Sequence, residues 1–264
     1  LSGLNNKTYA EINNNPQIAN FVSQVENQPI RTIIIRNWPN EEFLYTVFLR
    51  LNTGSLPLST QELRQALHPG GFLDFCDEYS ASNERIHKIL NISKADYRMR
   101  DIELIVRFFA FNYFINEYQG NLKLFLDNSV KILNEQWQDR RFEFINVAND
   151  LDCRIDLIYE IFKSNAFKKY KNGTFDSRFN RAVFDIMVYY FYNNDIREIA
   201  LHKQHEIVEG FQQLSNSDPQ FVASFETSTK NTFQTSYRFT KWGEKLKEIL
   251  GIDLNIPIIQ NGAE

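Results

Sequence analysis

A polar, glycine-containing loop, Asn52-Thr53-Gly54, lies between two helical patterns, with Arg50 before it and Arg64 after it. Backbone N–H groups of such a loop, together with those at the start of the next helix, can face one space and hold an anion or a phosphate. The two arginines would add positive charge. The alternative is an ordinary corner, in which Gly54 takes the left-handed conformation and ends the first helix.

The helices on either side of this loop carry clear sequence signals. In the following helix, Ser59 is the predicted N-cap and Glu62 stands at the third helical position, which makes a capping box. Leu58 and Leu63 occupy the hydrophobic staple positions around them. The preceding helix is predicted from one apolar stripe, formed by Phe43, Leu44, Val47, Phe48 and Leu51.

The sequence contains two clusters of basic residues, of which the second is a candidate for nucleic-acid binding. One contains Arg98, Arg100 and Arg107. The other, "KSNAFKKYKNG", interleaves Phe167 and Tyr170 with lysines, which suits contacts to phosphates and bases. The alternative for this second stretch is a solvated loop after a helix. Its lysines are Lys163, Lys168, Lys169 and Lys171.

Metal-binding patterns are weak. His202 and His205 would share one face of a helix, with Glu206 beside them, but their order differs from that of a zincin motif and no third ligand is placed by the sequence. Cys76 and Cys153 lie far apart without ligand spacing, and we interpret both as reduced thiols. The sequence therefore predicts no metal site.

The composition predicts a folded globular protein. The chain has 264 residues, of which 43% are hydrophobic, with 23 Phe and 12 Tyr. This content is too apolar for a disordered chain. The formal net charge of −4 excludes a global basic field that would attract nucleic acid, but leaves room for a local basic patch. No apolar run is long enough to cross a bilayer and no secretory leader is visible, so we expect a cytoplasmic protein without a membrane partner.

The chain reads as a short α/β part followed by helices. The β-branched run 30–36 predicts a buried strand. Helical patterns continue from Glu41 nearly to Gly251, the predicted cap of the last helix. A lone strand needs pairing partners, and the sequence begins with Leu1 rather than Met, so we expect a segment upstream of Leu1. Residues 252–264 are predicted to be a loose tail or to pack on a partner.

The segment 47–72 resembles a signature of the family that includes the N-terminal domain of GmrSD-type modification-dependent restriction enzymes, related to ParB and sulfiredoxin. The signature is F-x-R-[LI]-N-T-G-G-x-x-L-S-x-Q-E-L-R, and Ser55 replaces its second glycine here. The similarity continues in "RDIELIVRFFAF" and in "YRFTKWGEKLKEIL", so it covers most of the chain. The matching residues are Phe48, Arg50, Leu51, Asn52, Thr53, Gly54, Leu58, Ser59, Gln61, Glu62, Leu63 and Arg64.

The resemblance implies a protein that couples nucleotide binding or hydrolysis to DNA cleavage in anti-phage defence or restriction. It implies DNA as a partner and a nucleoside triphosphate and Mg²⁺ as cofactors. The family's Asp-Gly-Gln-Gln-Arg motif, its catalytic centre, is absent from this sequence, so we assign no catalytic residue. We expect that motif in the upstream segment or the chemistry in a partner nuclease subunit. The implied phosphate-site residues are Arg50, Asn52, Thr53, Gly54, Glu62 and Arg64.

The predicted fold is mainly α, with a partial ParB-like α/β segment followed by an α-helical bundle. The predicted boundaries are 1–75 for the C-terminal part of the ParB-like domain, 76–251 for the helical domain and 252–264 for the tail. A helix near 100–118 is apolar on most faces and should be central in the bundle. The predicted function is part of a ParB-like nucleotide-dependent DNA-processing protein of the nuclease or NTPase type. The alternative is a non-catalytic helical module that binds DNA or protein.

Overall fold

The computed structural model describes residues 4, 7–18, 20–30, 32, 34–37, 43–44, 46–47, 50, 57–226 and 232–259. The chain divides into two compact units, Leu1–Leu44 and Tyr45–Glu264. The sequence predicts a boundary near residue 75 instead. The capped helix that follows Ser59 lies before that position and belongs to the larger unit. Among the described residues, no helix combines the length and the apolar content needed to cross a membrane.

In the smaller unit, the described residues form two short helices, α1 (Tyr9–Asn13) and α2 (Asn20–Glu26). The run 30–36 is not a strand at any of its described positions, and Ile30 and Ile34 are 88% and 73% exposed. The prediction of a buried strand is therefore wrong for these positions. β-branched residues favour a strand only where a neighbouring strand pairs with it, and no described residue of this unit belongs to one.

The larger unit is mainly helical, which confirms the predicted fold class at that level. Short 3₁₀ turns lie at Ile115–Glu117 and Lys163–Asn165, each directly after a long helix. The helices of its described part are α3 (Thr60–Leu67), α4 (Gly71–Ser82), α5 (Glu84–Leu90), α6 (Arg100–Phe114), α7 (Leu122–Glu135), α8 (Trp137–Phe162), α9 (Arg181–Tyr189), α10 (Asn194–His202), α11 (Gln204–Ser217), α12 (Pro219–Ala223) and α13 (Thr232–Leu250).

Helix α6 is central in the larger unit, as predicted. Leu104, Ile105 and Val106 are fully buried, and the helix packs against α3, α4, α5, α7 and α9. Aromatic rings contribute much of the surrounding core, as where Phe109 of α6 meets Phe72 of α4 edge to face, with ring centroids 5.0 Å apart. A helix that is apolar on most faces is stable only when it is enclosed in this way.

A buried ion pair joins α6 to α9. Arg107 Nε donates a hydrogen bond to Asp185 Oδ1 at 3.1 Å, and its Nη2 donates to Oδ2. The two side chains are 3% and 0% exposed. Arg238 of α13 adds a further buried cation, which donates to the carbonyl of Ser224 at 3.2 Å. Burial lowers the pKa of Arg238 to about 10. Because this pKa is still above 7, the guanidinium stays charged at neutral pH.

A two-stranded antiparallel hairpin follows α8, in the lysine-rich stretch for which the sequence offered only a loop. Strand β1 (Lys168–Lys171) pairs with β2 (Thr174–Phe179). Asn172 and Gly173 connect them, with φ angles of 53° and 81°. Positive φ at both central residues is what a two-residue type I′ turn requires, and Asn-Gly is its preferred sequence.

The chain after α13 packs on the larger unit. Gly251 ends the helix with a φ of 72°, which confirms the predicted cap. Leu254 and Ile259 are buried, and the N–H of Ile258 donates to Asn116 Oδ1 at 3.2 Å. The expectation of a loose or partner-bound tail is therefore wrong for its described residues, because their apolar side chains find a place on the helices of the same unit.

The two cysteines differ in accessibility. Cys76 on α4 is fully buried, and burial raises the pKa of its thiol. Cys153 on α8 is exposed. Both are unpaired thiols, as the sequence predicts.

Replacing Asp185 by asparagine should destabilise the larger unit by about 3–5 kcal/mol, because the buried Arg107 would lose its charge partner. The measurement is the free energy of unfolding in urea, followed by circular dichroism. Glu143→Gln is the control, since the Arg140–Glu143 pair is exposed and such pairs contribute about 1 kcal/mol or less. Equal, small losses in both variants would show that the buried pair does not constrain the fold.

Candidate functional site

The capped helix α3 is braced by Arg98. Ser59 Oγ accepts the N–H of Glu62 at 3.1 Å and Glu62 Oε2 accepts the N–H of Ser59 at 2.6 Å, which confirms the capping box. Arg98 Nη1 lies 3.2 Å from Glu62 Oε2, and its Nη2 donates to the carbonyl of Pro57 at 2.7 Å. The Glu62 carboxylate is thus engaged within the protein, where it ties the start of α3 to the turn before α6.

Arg64 is also held inside the protein. Its side chain is 1% exposed, and its Nε donates to Asp127 Oδ1 of α7 at 2.7 Å. Lys123 Nζ approaches the other oxygen of Asp127 at 2.9 Å. Burial lowers the pKa of Arg64 more than Asp127 raises it. In this position, the guanidinium braces α3 against α7.

The remaining residues of the predicted loop site are less closely defined. Arg50 is an exposed helical residue, and Asn52, Thr53 and Gly54 lie outside the described residues. The role of this loop in phosphate binding therefore stays a prediction.

The first basic cluster separates into three environments. Arg98 braces α3, and Arg107 is buried with Asp185. Arg100, the first residue of α6, keeps a side chain that is 46% exposed, while its Nε donates to Asp96. Of the three arginines, Arg100 is the one that presents its charge to a cleft.

Three of the four lysines in the second cluster have carboxylate partners. Lys163 lies 2.8 Å from Glu160. Lys169 and Lys171 converge on Glu226, at 3.1 and 3.0 Å. Their hydrogen bonds, that of Lys171 first, lower the pKa of Glu226. Most of the predicted nucleic-acid patch is therefore neutralised locally, and Lys168 is the exception.

A basic cleft of about 660 Å³ brings Arg100 and Lys168 together. It lies between α5, the first residues of α6 and α9, the end of α8, and the hairpin. Five cations line it, and none of its described lining residues is a carboxylate. We call it the basic cleft. Its charged residues are Lys88, Arg100, Lys168, Arg178 and Arg181.

The five cations are only partly neutralised. Arg100 has Asp96 behind it, and Arg181 Nε lies 3.7 Å from Glu103 Oε1. That separation is too long for a hydrogen bond, and Arg181 Nε has no hydrogen-bond partner in the described chain. The other three, Lys88, Lys168 and Arg178, have no carboxylate within ion-pair distance among the described residues. Among the described residues, two carboxylates are thus within ion-pair distance of the five cations, so the cleft keeps a net positive charge.

Aromatic residues form an apolar wall in the same cleft. Lys88 Nζ lies 3.9 Å above the ring of Tyr159, and Phe167 meets that ring edge to face, with centroids 5.7 Å apart. Phe179 lines the cleft from the hairpin. The N–H groups of Ala182 and Val183, in the first turn of α9, already donate to Asn180 Oδ1. Side chains are therefore better placed than that helix end to bind a ligand here.

Backbone strain is concentrated around the basic cleft. Apart from asparagines, the described non-glycine residues with positive φ are Met99, Lys163 and Phe167, at 55°, 51° and 60°. Phe167 lines the cleft, while Met99 and Lys163 directly precede the lining residues Arg100 and Ser164. Asparagine tolerates this conformation, but longer side chains rarely adopt it. Such strain persists where the surroundings impose it, and it gathers at functional sites.

A groove of about 690 Å³ between α11 and α13 provides a contrast. It also carries charged side chains, but they are paired across turns of α13. Lys241 lies 3.3 Å from Glu244, and Lys245 lies 3.0 Å from Glu248. Its charges therefore cancel, and the basic cleft is the better candidate for a ligand site.

Nothing in the sequence groups Lys88, Arg178 and Arg181 with Arg100, because they are separated from it in the chain and form no cluster with it. The available signal was the Asn-Gly turn, which predicts a hairpin and hence a return of the chain past Lys168. Even with that signal, the approach of α5 depends on tertiary packing.

His202 and His205 do not share a face of one helix. Lys203 separates α10 from α11, so His202 ends one helix and His205 is the second residue of the next. His205 is exposed and lies 3.4 Å from Glu209. Among the described residues, no three His, Cys, Asp or Glu side chains are grouped as metal ligands.

Comparison with family models, curated proteins and solved structures finds no match for this chain.

The ion pairs of Glu226 with Lys169 and Lys171 should make the stability of the hairpin depend on pH. Because the pKa of Glu226 is lowered in the folded protein, its contribution is present above the ordinary Glu pKa of about 4.3 and is lost as the pH falls through the folded-state value. We expect Glu226→Gln to speed amide exchange in β1 and β2 relative to the wild type at neutral pH. Helix α6 serves as the internal reference.

The difference between the two proteins should shrink as the pH is lowered through that range, since the wild-type carboxylate becomes protonated. A difference that is constant with pH would rule out the charge of Glu226 as its cause.

Proposed function

We propose that the larger unit binds the phosphate groups of DNA in the basic cleft. The observation that carries this proposal is the convergence of five cations on one cavity without a facing carboxylate. Phosphate contacts from Lys and Arg supply most of the affinity of sequence-independent DNA binding. The resemblance of the segment 47–72 to a DNA-processing family supports DNA as the nucleic acid.

The three arginines suit this role because a guanidinium can donate two parallel hydrogen bonds to one phosphate. Lys168 and Arg178 have no carboxylate partner among the described residues, so neither has to break an ion pair before it binds a phosphate. Arg100 and Arg181 are held from behind by Asp96 and Glu103, which limits the side-chain freedom that would be lost on binding.

A second candidate function follows from the resemblance itself. In it, the loop around Asn52, with Arg50, Glu62 and Arg64, would handle a nucleoside triphosphate and Mg²⁺ in a DNA-processing enzyme. The buried Arg64 and the engaged Glu62 favour a bracing role for these two residues over direct contact with a nucleotide. The chemistry would then require the expected upstream segment or a partner nuclease subunit.

Neutralising two cations should weaken DNA binding and reduce its dependence on salt. We expect Lys168→Gln combined with Arg178→Gln to reduce the magnitude of the slope of log affinity against log salt by about 1.4 to 1.8, since each lost phosphate contact contributes about 0.7 to 0.9. Fluorescence anisotropy with a labelled DNA oligonucleotide at several salt concentrations measures this slope.

Lys241→Gln combined with Lys245→Gln is the matched control. It removes the same charge from the groove in which those lysines are already paired, so its slope should equal that of the wild type. If both double variants lower the slope equally, binding reflects overall charge and the proposal is wrong.

A further inference from the structure

We infer that the basic cleft recognises the terminal phosphate of a DNA strand in preference to its internal phosphodiesters. This inference rests on the proposed function, and it names the part of the DNA that the cleft takes. It depends on how the cations are arranged, on their number relative to nearby carboxylates, and on the apolar wall beside them.

The cations surround one cavity instead of following a line. They come from α5, the first residue of α6, both strands of the hairpin and the first residue of α9. A groove that follows a DNA backbone places its cations along the path of successive phosphates. A partly enclosed cavity of about 660 Å³ has the size of a small-molecule site, and a strand enters such a cavity most easily by its end.

The charge balance favours a terminal phosphate. A phosphomonoester carries a charge of about −1.5 to −2 at neutral pH and offers three terminal oxygens, whereas an internal phosphodiester carries a single negative charge. Among the described residues, Asp96 and Glu103 are the only carboxylates paired with the five cations, so positive charge is left in excess. Three of the five are arginines, whose planar groups can each bind two oxygens.

The wall beside the cations suits the nucleotide that carries this phosphate. Phe167, Phe179 and Ile89 line the cavity together with Tyr159, and Lys88 covers one face of the Tyr159 ring. Phe167, Phe179 and Ile89 offer apolar contact to a sugar or to the edge of a base, and these three side chains carry no hydrogen-bonding group that would select one base. We therefore expect recognition of the end with little preference for sequence.

The test compares single-stranded DNA oligonucleotides of one sequence that carry a 5′-phosphate, a 3′-phosphate or hydroxyls at both ends, each labelled at an internal base. For the wild-type protein, we expect one phosphorylated form to bind about tenfold more tightly than the hydroxyl form, as charge-assisted hydrogen bonds to one extra charge would give. The two phosphorylated arms show which end enters. Inorganic phosphate should compete with the preferred form.

In the Lys168→Gln, Arg178→Gln variant, the phosphorylated and hydroxyl forms should bind alike. Lys88→Gln is a second variant with the same expectation, and thermal unfolding verifies that both variants fold. Equal wild-type affinity for all three oligonucleotides, with the double variant weakening each of them, would overturn the inference and leave the proposed function standing. Absence of wild-type binding to every oligonucleotide would overturn both.

Discussion

The buried ion pair between Arg107 and Asp185 fixes α6 and α9, two of the elements that form the basic cleft. Arg100, at the start of α6, precedes Arg107 by about two helical turns, and Arg181, at the start of α9, precedes Asp185 by about one. Glu103 lies between the helices, 3.7 Å from Arg181 and 4.0 Å from Arg107. A buried guanidinium and carboxylate tolerate little separation, because each would otherwise lose its charge partner in a poorly solvated place. The spacing of Arg100 and Arg181 thus follows from a contact deep in the core.

The basic cleft is positive although the chain has a formal net charge of −4. The reason is that some lysines and arginines lie against carboxylates and others do not. Lys169 and Lys171 lie against Glu226, while Lys168, on the same strand, lies in the cleft. At about 0.1 M salt, the field of exposed charges is largely screened beyond about 10 Å. The proposed phosphate binding would therefore depend on contacts inside the cleft, and the acidic remainder of the chain should discourage loose association with polyanions elsewhere.

Local signals account for what the sequence could predict. The capping box of Ser59 and Glu62 and the glycine cap at Gly251 are each decided by a few consecutive residues, and both are confirmed. The apolar pattern of α6 indicated its central place for the same reason. The strand expected at 30–36 failed at its described positions because a strand also needs a partner, which its own residues cannot specify. The hairpin at 168–179 was not predicted, because the lysines around its Asn-Gly turn favoured the interpretation of a solvated loop.

The candidate site was predictable only in fragments. Arg100 and Lys168 stood in two separate clusters, and nothing in their spacing indicated that they share a cavity. Lys88 and Arg181 come from helices whose approach is set by packing around α6. Non-local sites of this kind become visible once the core contacts are known. The predicted loop around Asn52 has the opposite character, since one short motif contains it and its surroundings lie outside the described residues.

The contrast between the two cysteines gives the molecule a built-in reporter position. Cys76 is enclosed and its thiol pKa is raised, so thiol reagents should react with Cys153 alone while the protein is folded. Cys153 precedes Tyr159 on α8, and six residues of helix span about 9 Å. A fluorophore attached there would stand within a short distance of the cleft without replacing any residue that lines it. The native sequence therefore already offers one accessible thiol for a label on the helix that carries Tyr159.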